Sequence, residues 1–122
     1  MRGLATLAAP ASLRAWASEP ERFAEYCRRV GVLRDPAFPP NVDEWARSIA
    51  TLDPLAAAPE LAGRPWLIVH GTDDDTIPVD DARALVASFP AASLRVLQHG
   101  GHRLRHDPRA IALLLGWLSS QA

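Results

Sequence analysis

The chain has 122 residues, of which 13 are basic and 14 are acidic, so its formal net charge is −1. The positive charges are scattered along the chain, and this near balance argues against nucleic acid or an anionic membrane surface as a partner. Every basic residue is arginine, which excludes mechanisms that need a lysine, such as Schiff-base catalysis and P-loop phosphate binding. We therefore expect one domain whose partners are small neutral or polar molecules.

Cysteine usage and hydropathy indicate the compartment. Cys27 is the one cysteine and cannot form an internal disulfide, so we expect it to pack as a small apolar side chain. No charged segment followed by a long apolar segment opens the chain, and no apolar run reaches the roughly 18 residues of a membrane span. The expected protein is cytoplasmic and does not enter a membrane.

The first 62 residues predict one strand followed by three helices. Residues 3–9 (GLATLAA) form a short apolar run that indicates a buried strand. Ser18 and Asn41 each precede a glutamate by three residues, the capping-box pattern that marks a helix start, and Asp53-Pro54 predicts a third start. These helices form an insertion at about residues 18–62 that either covers a pocket as a lid or serves as a structural layer.

The stretch at residues 65–78 (PWLIVHGTDDDTIP) carries the main functional signal. Residues 66–69 are an uninterrupted apolar run, which is typical of a strand covered on both faces in a parallel sheet. His70 and Gly71 end this strand, and three consecutive carboxylates follow it, namely Asp73, Asp74 and Asp75. Open α/β sheets place ligands and catalytic groups at the carboxyl ends of their strands, so the position of these acids is informative.

One more strand and two more helices follow. A helix is predicted with Asp80 as its cap, residues 93–98 predict a strand, and residues 99–102 (HGGH) form a turn. Asp107-Pro108 predicts the start of the last helix, whose predicted buried stripe is Ile111, Leu114, Leu115 and Leu118. Strands that alternate with helices predict an α/β fold, here a parallel sheet of about three strands with flanking helices.

The acid cluster and His102 both follow the carboxyl ends of strands that we expect to be neighbours. They are therefore expected to meet above the same edge of the sheet. A carboxylate bonded to one imidazole nitrogen fixes the tautomer and stabilises the imidazolium, which leaves the other nitrogen to act as a base. Such a pair forms part of a catalytic triad.

Two motifs carry a family resemblance, Gly71-x-x-Asp74-x-x-Ile77-Pro78 and Gly100-Gly101-His102. In them the chain resembles the carboxy-terminal part of the α/β-hydrolase family, and the resemblance covers essentially its whole length. It implies that Asp74 is the acid and His102 the base of a Ser-His-Asp triad that acts on a small-molecule ester or amide. It implies no cofactor and no metal.

The other acids and histidines have simpler interpretations. An Asp-rich turn is commonly only a turn, because aspartate bonds its own backbone, so we expect Asp73 and Asp75 to be solvated or to cap the turn. His70 is expected to shape the end of its strand, and His106 to lie at the surface. A metal site is the competing chemistry, which would use three histidines near the acids, His99, His102 and His106.

The serine of the triad is missing from the motifs. No Gly-x-Ser-x-Gly occurs in the chain, and none of its seven serines has flanking glycines. In the family the serine and the oxyanion loop precede the matched segment, so the resemblance implies a fragment without turnover of its own. Our first hypothesis is a serine hydrolase for ester, amide or similar acyl bonds, present as a fragment that lacks the nucleophile. The second is a non-catalytic remnant that binds or self-associates through the exposed edge of the first strand.

Overall fold

The computed structural model describes residues 2–61 and 63–122. These residues form two compact units. The sheet unit consists of the described residues up to Ala11 and from Pro54 onwards, and the helical unit is Ser12–Asp53. Both predicted site residues, Asp74 and His102, lie in the sheet unit.

The sheet unit is built on three parallel strands. They are β1 (Leu4–Leu7), β2 (Trp66–Gly71) and β3 (Ala92–Leu97). β2 lies between the other two, and Trp66 has Leu4 as its register partner on one side and Ala92 on the other. Among the described residues the same unit has three α-helices, α4 (Pro54–Ala57), α5 (Val79–Ser88) and α6 (Pro108–Ser120). It also has two 3₁₀ helices, Ala58–Leu61 and Leu104–His106. The predicted α/β fold, a parallel sheet with flanking helices, is confirmed.

The central strand β2 is buried along its whole length, as its apolar sequence predicts. Trp66 and Ile68 belong to one apolar cluster with α5, and Leu67 and Val69 belong to a second cluster with α6. Because successive side chains of a strand point to opposite faces, β2 supplies the core on both sides of the sheet. One polar side chain of this strand, His70, is buried completely.

The prediction for the buried face of α6 is wrong for two of its four residues, since Ile111 and Leu114 are partly buried but Leu115 and Leu118 are not. Leu115 is 58% exposed and Leu118 is 50% exposed, whereas Ala110 and the partly buried Leu113 and Trp117 belong to the second core cluster. The helix carries apolar residues at helical spacing on two neighbouring faces. Periodicity alone does not choose between them, and packing against β2 selected the face with Ala110.

β1 lies at the edge of the sheet. It is a strand as predicted, although shorter than the predicted run, and each of its four residues is partly exposed. Within the described residues β1 pairs with β2 alone. The Thr6 hydroxyl accepts a hydrogen bond from the indole Nε1 of Trp66 at 3.0 Å, which anchors the middle of the strand.

The helical unit contains α1 (Arg14–Ala17), α2 (Pro20–Arg29) and α3 (Val42–Ala50). Aromatic rings connect them: Phe23 stacks on Trp45 with ring centroids 5.2 Å apart, and Trp16 lies 5.3 Å from Phe23. Cys27 is buried, as expected of an apolar packing residue, and burial raises the pKa of its thiol. A raised pKa disfavours the reactive thiolate.

Two of the predicted helix caps are correct. The Asn41 side chain accepts from the N–H of Glu44 at 2.9 Å at the start of α3. The Asp107 side chain accepts from the N–H of Arg109 at 2.9 Å at the start of α6. Each cap satisfies one of the backbone donors that the first turn of a helix leaves without an internal partner.

Two other predicted caps are wrong, and proline explains both. Ser18 ends α1, its hydroxyl donating to the Ala15 carbonyl at 2.7 Å, and α2 begins at Pro20. Asp80 lies inside the first turn of α5, because Pro78 takes the N-cap position. The proline ring fixes φ near the helical value, so it sets the helix start without a side-chain cap.

The helices of residues 2–61 and 63–122 are short. The longest is α6 with 13 residues, whereas a helix needs about 20 to cross a bilayer. None of these helices spans a membrane.

Candidate active site

Two loops meet at the carboxyl edge of the sheet. We call residues 72–78, after β2, the acid loop, and residues 98–102, after β3, the histidine loop. The N–H of Thr72 donates to the Leu97 carbonyl at 3.0 Å, and the N–H of Asp73 donates to the Gly100 carbonyl at 2.9 Å. The Thr72 hydroxyl accepts from the N–H of His99 at 2.8 Å. The start of the acid loop is therefore hydrogen-bonded to the end of β3 and to the histidine loop.

No side chain fits where the two loops cross. A Cβ on Gly71 would fall on the carbonyl group of Gly100 and would lie 2.8 Å from its Cα. A Cβ on Gly100 would lie 3.1 Å from the Cα of Gly71. The first glycine of each motif is thus explained by the same close backbone approach.

α6 holds the histidine loop from the other end. Arg109, in its first turn, donates from Nη1 to the Gln98 carbonyl at 2.8 Å. The same guanidinium binds both carboxylate oxygens of Asp107, at 3.1 Å and 2.7 Å. The hydrogen bonds from Arg109 lower the pKa of the Asp107 carboxyl, so the two charges of this bidentate pair persist together.

The carboxylate of Asp74 is engaged at both oxygens and its side chain is 0% exposed. Oδ1 accepts from the backbone N–H groups of Thr76 at 2.9 Å and Ile77 at 2.8 Å. Oδ2 lies 3.0 Å from Nδ1 of His102 and 3.2 Å from Nε2 of His70. The sequence predicted the proximity of Asp74 and His102, and the structure confirms it.

These contacts determine the charge of Asp74. Burial raises the pKa of its carboxyl, but the hydrogen bonds from Ile77, His102 and Thr76 and the charge of His102 outweigh burial, so that the pKa is lowered overall. Donors that bond the ionised form stabilise it. Asp74 is therefore a carboxylate at neutral pH and accepts from each of these donors.

His102 is the exposed member of the pair. Its side chain is 33% exposed, and within residues 2–61 and 63–122 its Nε2 has no hydrogen bond. Because Asp74 is an acceptor, Nδ1 carries the proton and donates to Oδ2. Nε2 is then left with a lone pair at the accessible side of the ring, which is the arrangement that a general base requires.

The neighbouring acids are exposed, as expected. Asp73 accepts from the Thr72 hydroxyl at 3.0 Å and lies 3.5 Å from Nδ1 of the exposed His99. Asp75 accepts from the Thr76 hydroxyl at 3.3 Å. Neither contacts His102 in the described hydrogen bonds and ion pairs, so the geometry distinguishes Asp74 from the acids on either side.

The three histidines of the competing metal hypothesis have separate surroundings. His99 faces Asp73, His102 faces Asp74, and the exposed His106 accepts from Nε of Arg105 at 3.1 Å. Among the described residues no three histidine, cysteine, aspartate or glutamate side chains form a group that could hold a metal ion. The expected absence of a metal remains a prediction.

Sequence reasoning missed the place of His70 in this site. It predicted that His70 shapes the end of its strand, but Nε2 also lies 3.2 Å from the carboxylate that faces His102. A polar residue inside an apolar strand was the available signal, since such a residue is seldom buried without partners.

Comparisons with known proteins identify the fold. No protein-family profile and no curated protein sequence matches the chain. BpoC from Mycobacterium tuberculosis H37Rv, described as a non-heme bromoperoxidase, superposes with a TM-score of 0.63 and 14% identity, over 100% of this chain and 59% of that chain. A variant of the meta-cleavage product hydrolase CumD from Pseudomonas fluorescens IP01, complexed with acetates, has a TM-score of 0.63 and 16% identity, over 97% of this chain and 56% of its own.

A thermophilic esterase from Thermogutta terrifontis, with malate bound, matches with a TM-score of 0.59 and 21% identity, over 98% of this chain and 56% of that chain. The chain thus spans between 56% and 59% of the length of these three structures. Structural similarity at sequence identities this low shows a shared backbone fold. The chain has the α/β-hydrolase fold over the part that it spans.

Proposed function

We propose that this chain supplies the acid and the base of a serine hydrolase, with Asp74 as the acid and His102 as the base. One observation carries the proposal: Nδ1 of a partly exposed imidazole lies 3.0 Å from a carboxylate that is buried and bonded at both oxygens. Two similar structures are described as a hydrolase and an esterase. The substrate class is a small-molecule ester, amide or similar acyl compound.

In each half of the proposed reaction His102 takes up one proton and then gives it away. Nε2 takes the proton of a serine hydroxyl as its oxygen attacks the acyl carbon, and then gives this proton to the leaving group as the acyl-enzyme forms. In the second half of the reaction Nε2 takes a proton from water as the water oxygen attacks the acyl carbon, and gives this proton to the serine oxygen as the acid product leaves. Asp74 keeps the ring in the Nδ1–H tautomer and stabilises the imidazolium that forms at each step.

The serines of this chain support a nucleophile from another segment. Ser18, Ser48, Ser119 and Ser120 donate their hydroxyls to backbone carbonyls three or four residues earlier in the chain. None of the seven serines lies in a Gly-x-Ser-x-Gly sequence, the strained turn that exposes the hydroxyl in this fold. We propose that the chain is the carboxy-terminal part of the hydrolase domain, and we expect it to be inactive alone.

The test compares the chain with a longer product of the same reading frame. The isolated chain should hydrolyse p-nitrophenyl acetate no faster than its His102→Ala variant. A product extended upstream through a strand, a Gly-x-Ser-x-Gly elbow and a helix should turn over the ester and react with a fluorophosphonate probe. In that product Asp74→Asn should lower kcat roughly 10⁴-fold and His102→Ala roughly 10⁶-fold, whereas Asp73→Asn, on the same loop, should leave kcat unchanged.

Two results contradict the proposal. Burst kinetics from the isolated chain would mean that one of its own serines is the nucleophile. A stop codon directly upstream of Met1, with no elbow in the frame, would favour the second candidate, a non-catalytic remnant that assembles through β1. That candidate is supported by the position of β1 at the sheet edge, where the described residues provide a strand partner on one side alone.

A further inference from the structure

His70 lies at the end of β2, next to the acid loop, and its side chain is 0% exposed. Its Nε2 is 2.8 Å from the carbonyl oxygen of Ile77 and 3.2 Å from Oδ2 of Asp74. Its other ring nitrogen, Nδ1, is buried without a hydrogen-bond partner among the described residues. One nitrogen of the ring therefore faces two oxygens, and the other faces none.

These contacts determine the tautomer of His70. A carbonyl and an ionised carboxylate only accept hydrogen bonds, so Nε2 must carry the proton. A proton on Nδ1 instead would set the Nε2 lone pair against two oxygens and would leave a buried N–H without an acceptor. A doubly protonated ring would have the same unsatisfied donor. The surroundings thus place the proton of a neutral ring on Nε2.

We propose that His70 is a positioning residue for the Asp74–His102 pair. Its Nε2–H bonds the end of the acid loop at Ile77 and keeps Oδ2 of Asp74 opposite Nδ1 of His102. This inference rests on the proposed function, since the pair that His70 positions is the proposed acid and base. His70 acts through Asp74 and does not touch the reacting atoms.

The backbone of Ile77 in the acid loop connects His70 to the carboxylate of Asp74. The N–H of Ile77 donates to Oδ1 of Asp74 at 2.8 Å, while the carbonyl of Ile77 accepts from His70 at 2.8 Å. One residue thus joins the histidine to the carboxylate, and the ring nitrogen lies close to the second carboxylate oxygen. Without the donor of His70 the Ile77 carbonyl loses a buried partner, so the loop can shift and Oδ2 can leave His102.

The test is long-range ¹H–¹⁵N NMR of the full chain, which reports the tautomer of each histidine. In the unmodified chain we expect His70 as the Nε2–H form and His102 as the Nδ1–H form. In His70→Leu, which removes the donor at similar volume, His102 should lose its Nδ1–H resonance to exchange with water. In His70→Gln, whose amide restores a donor, that resonance should be retained. His99→Asn, which removes an exposed histidine that faces Asp73 and suits the positive φ of 59° at this position, is the matched control and should change neither tautomer.

Three outcomes would overturn the proposal. They are His70 found as the Nδ1–H form, a folded His70→Leu that retains the Nδ1–H resonance of His102, and a folded His70→Gln that loses it. Backbone amide spectra show whether each variant is folded. If neither variant of His70 folds, the proposal is judged by the tautomer of His70 in the unmodified chain, and the Nδ1–H form would overturn it. These spectra do not depend on catalytic turnover. An extended product without esterase activity would therefore contradict the proposed function, but it would not change the NMR result for His70.

Discussion

The engagement of Asp74 at both oxygens determines how the sheet unit responds to acid. Its pKa is lowered in the folded chain from a usual value of 3.8, so the folded state binds this proton less readily than the unfolded state does. Such a group stabilises the folded state fully above pH 3.8, and that contribution is lost as the pH falls from there through the lowered folded value. Lowering the pH should therefore remove the free energy by which Asp74 stabilises the folded state.

We expect Asp74→Asn to be less stable than the unmodified chain at pH 7, and the difference to shrink as the pH falls below 4. The amide keeps one acceptor oxygen and cannot carry the charge that the donors stabilise. Urea unfolding at pH 7 and at pH 3 measures the difference. Asp75→Asn, exposed on the same loop, serves as the control, and a stability gap for Asp74→Asn that stays constant with pH would contradict the prediction.

Sequence reasoning at this scale weighed two roles for Asp74 that the structure combines. Oδ1 closes the turn, as an Asp-rich turn predicts, and Oδ2 meets His102. The family resemblance chose Asp74 among the three acids, and Asp74 is the one that lies opposite His102. The contact between His70 and Ile77 could not be predicted, because Ile77 lies seven residues along the chain and is brought to His70 by the loop conformation, which has no sequence period.

At the scale of the elements, the crossing of the acid loop and the histidine loop is the feature that fixes the pair. Gly71 and Gly100 meet backbone to backbone, and the loops bond through Asp73 and Thr72. Relief of a clash at Gly71 would have to move the backbone of Gly100, two residues before the proposed base. A change in one loop is therefore transmitted to the other.

We expect Gly71→Ala to destabilise the chain by roughly 1–3 kcal/mol, the usual cost of overpacking, and to separate Asp74 from His102. Thermal unfolding measures the first effect, and loss of the His102 Nδ1–H resonance reports the second. Gly101→Ala is the matched control, because a Cβ there has nothing within 4 Å. Equal stability of the two variants would show that the backbones do not approach as described.

Strands were easier to predict than helix faces. β2 and β3 end within two residues of their predicted ends, because glycines mark both ends: Gly71 closes β2, and Gly100 and Gly101 follow β3 closely. In α6 two apolar faces of similar strength compete, and the one with Ala110 is buried while Leu115 is exposed. The position of the sheet decides which face is buried, and this position cannot be read from the sequence of the helix.

At the scale of the whole molecule, we expect the edge of β1 to take part in association. Its backbone has a strand partner on one side alone within the described residues, and its side chains are partly exposed. An unpaired apolar edge is a template for another strand. We therefore expect the isolated chain to self-associate through β1.

Sedimentation at tens of micromolar tests this expectation. Thr6→Lys should weaken association, since a charge on an edge strand opposes pairing with a second edge. Thr6→Val is the control, because both variants lose the acceptor for Trp66 but only one adds a charge. Leu7→Lys should also weaken association, at a greater cost in stability, since Leu7 packs against the second core cluster. A monomeric unmodified chain with cooperative unfolding would refute the expectation.

The loops that carry the proposed acid and base follow strands with different numbers of strand partners. The acid loop follows a strand that is paired on both sides, whereas the histidine loop follows β3, which within residues 2–61 and 63–122 pairs with β2 alone. Native chains open locally, and segments with fewer partners open at lower free energy. Transient detachment of β3 would carry His102 away while Asp74 stayed in place, so we expect the lifetime of the pair to follow the opening of the outer strand.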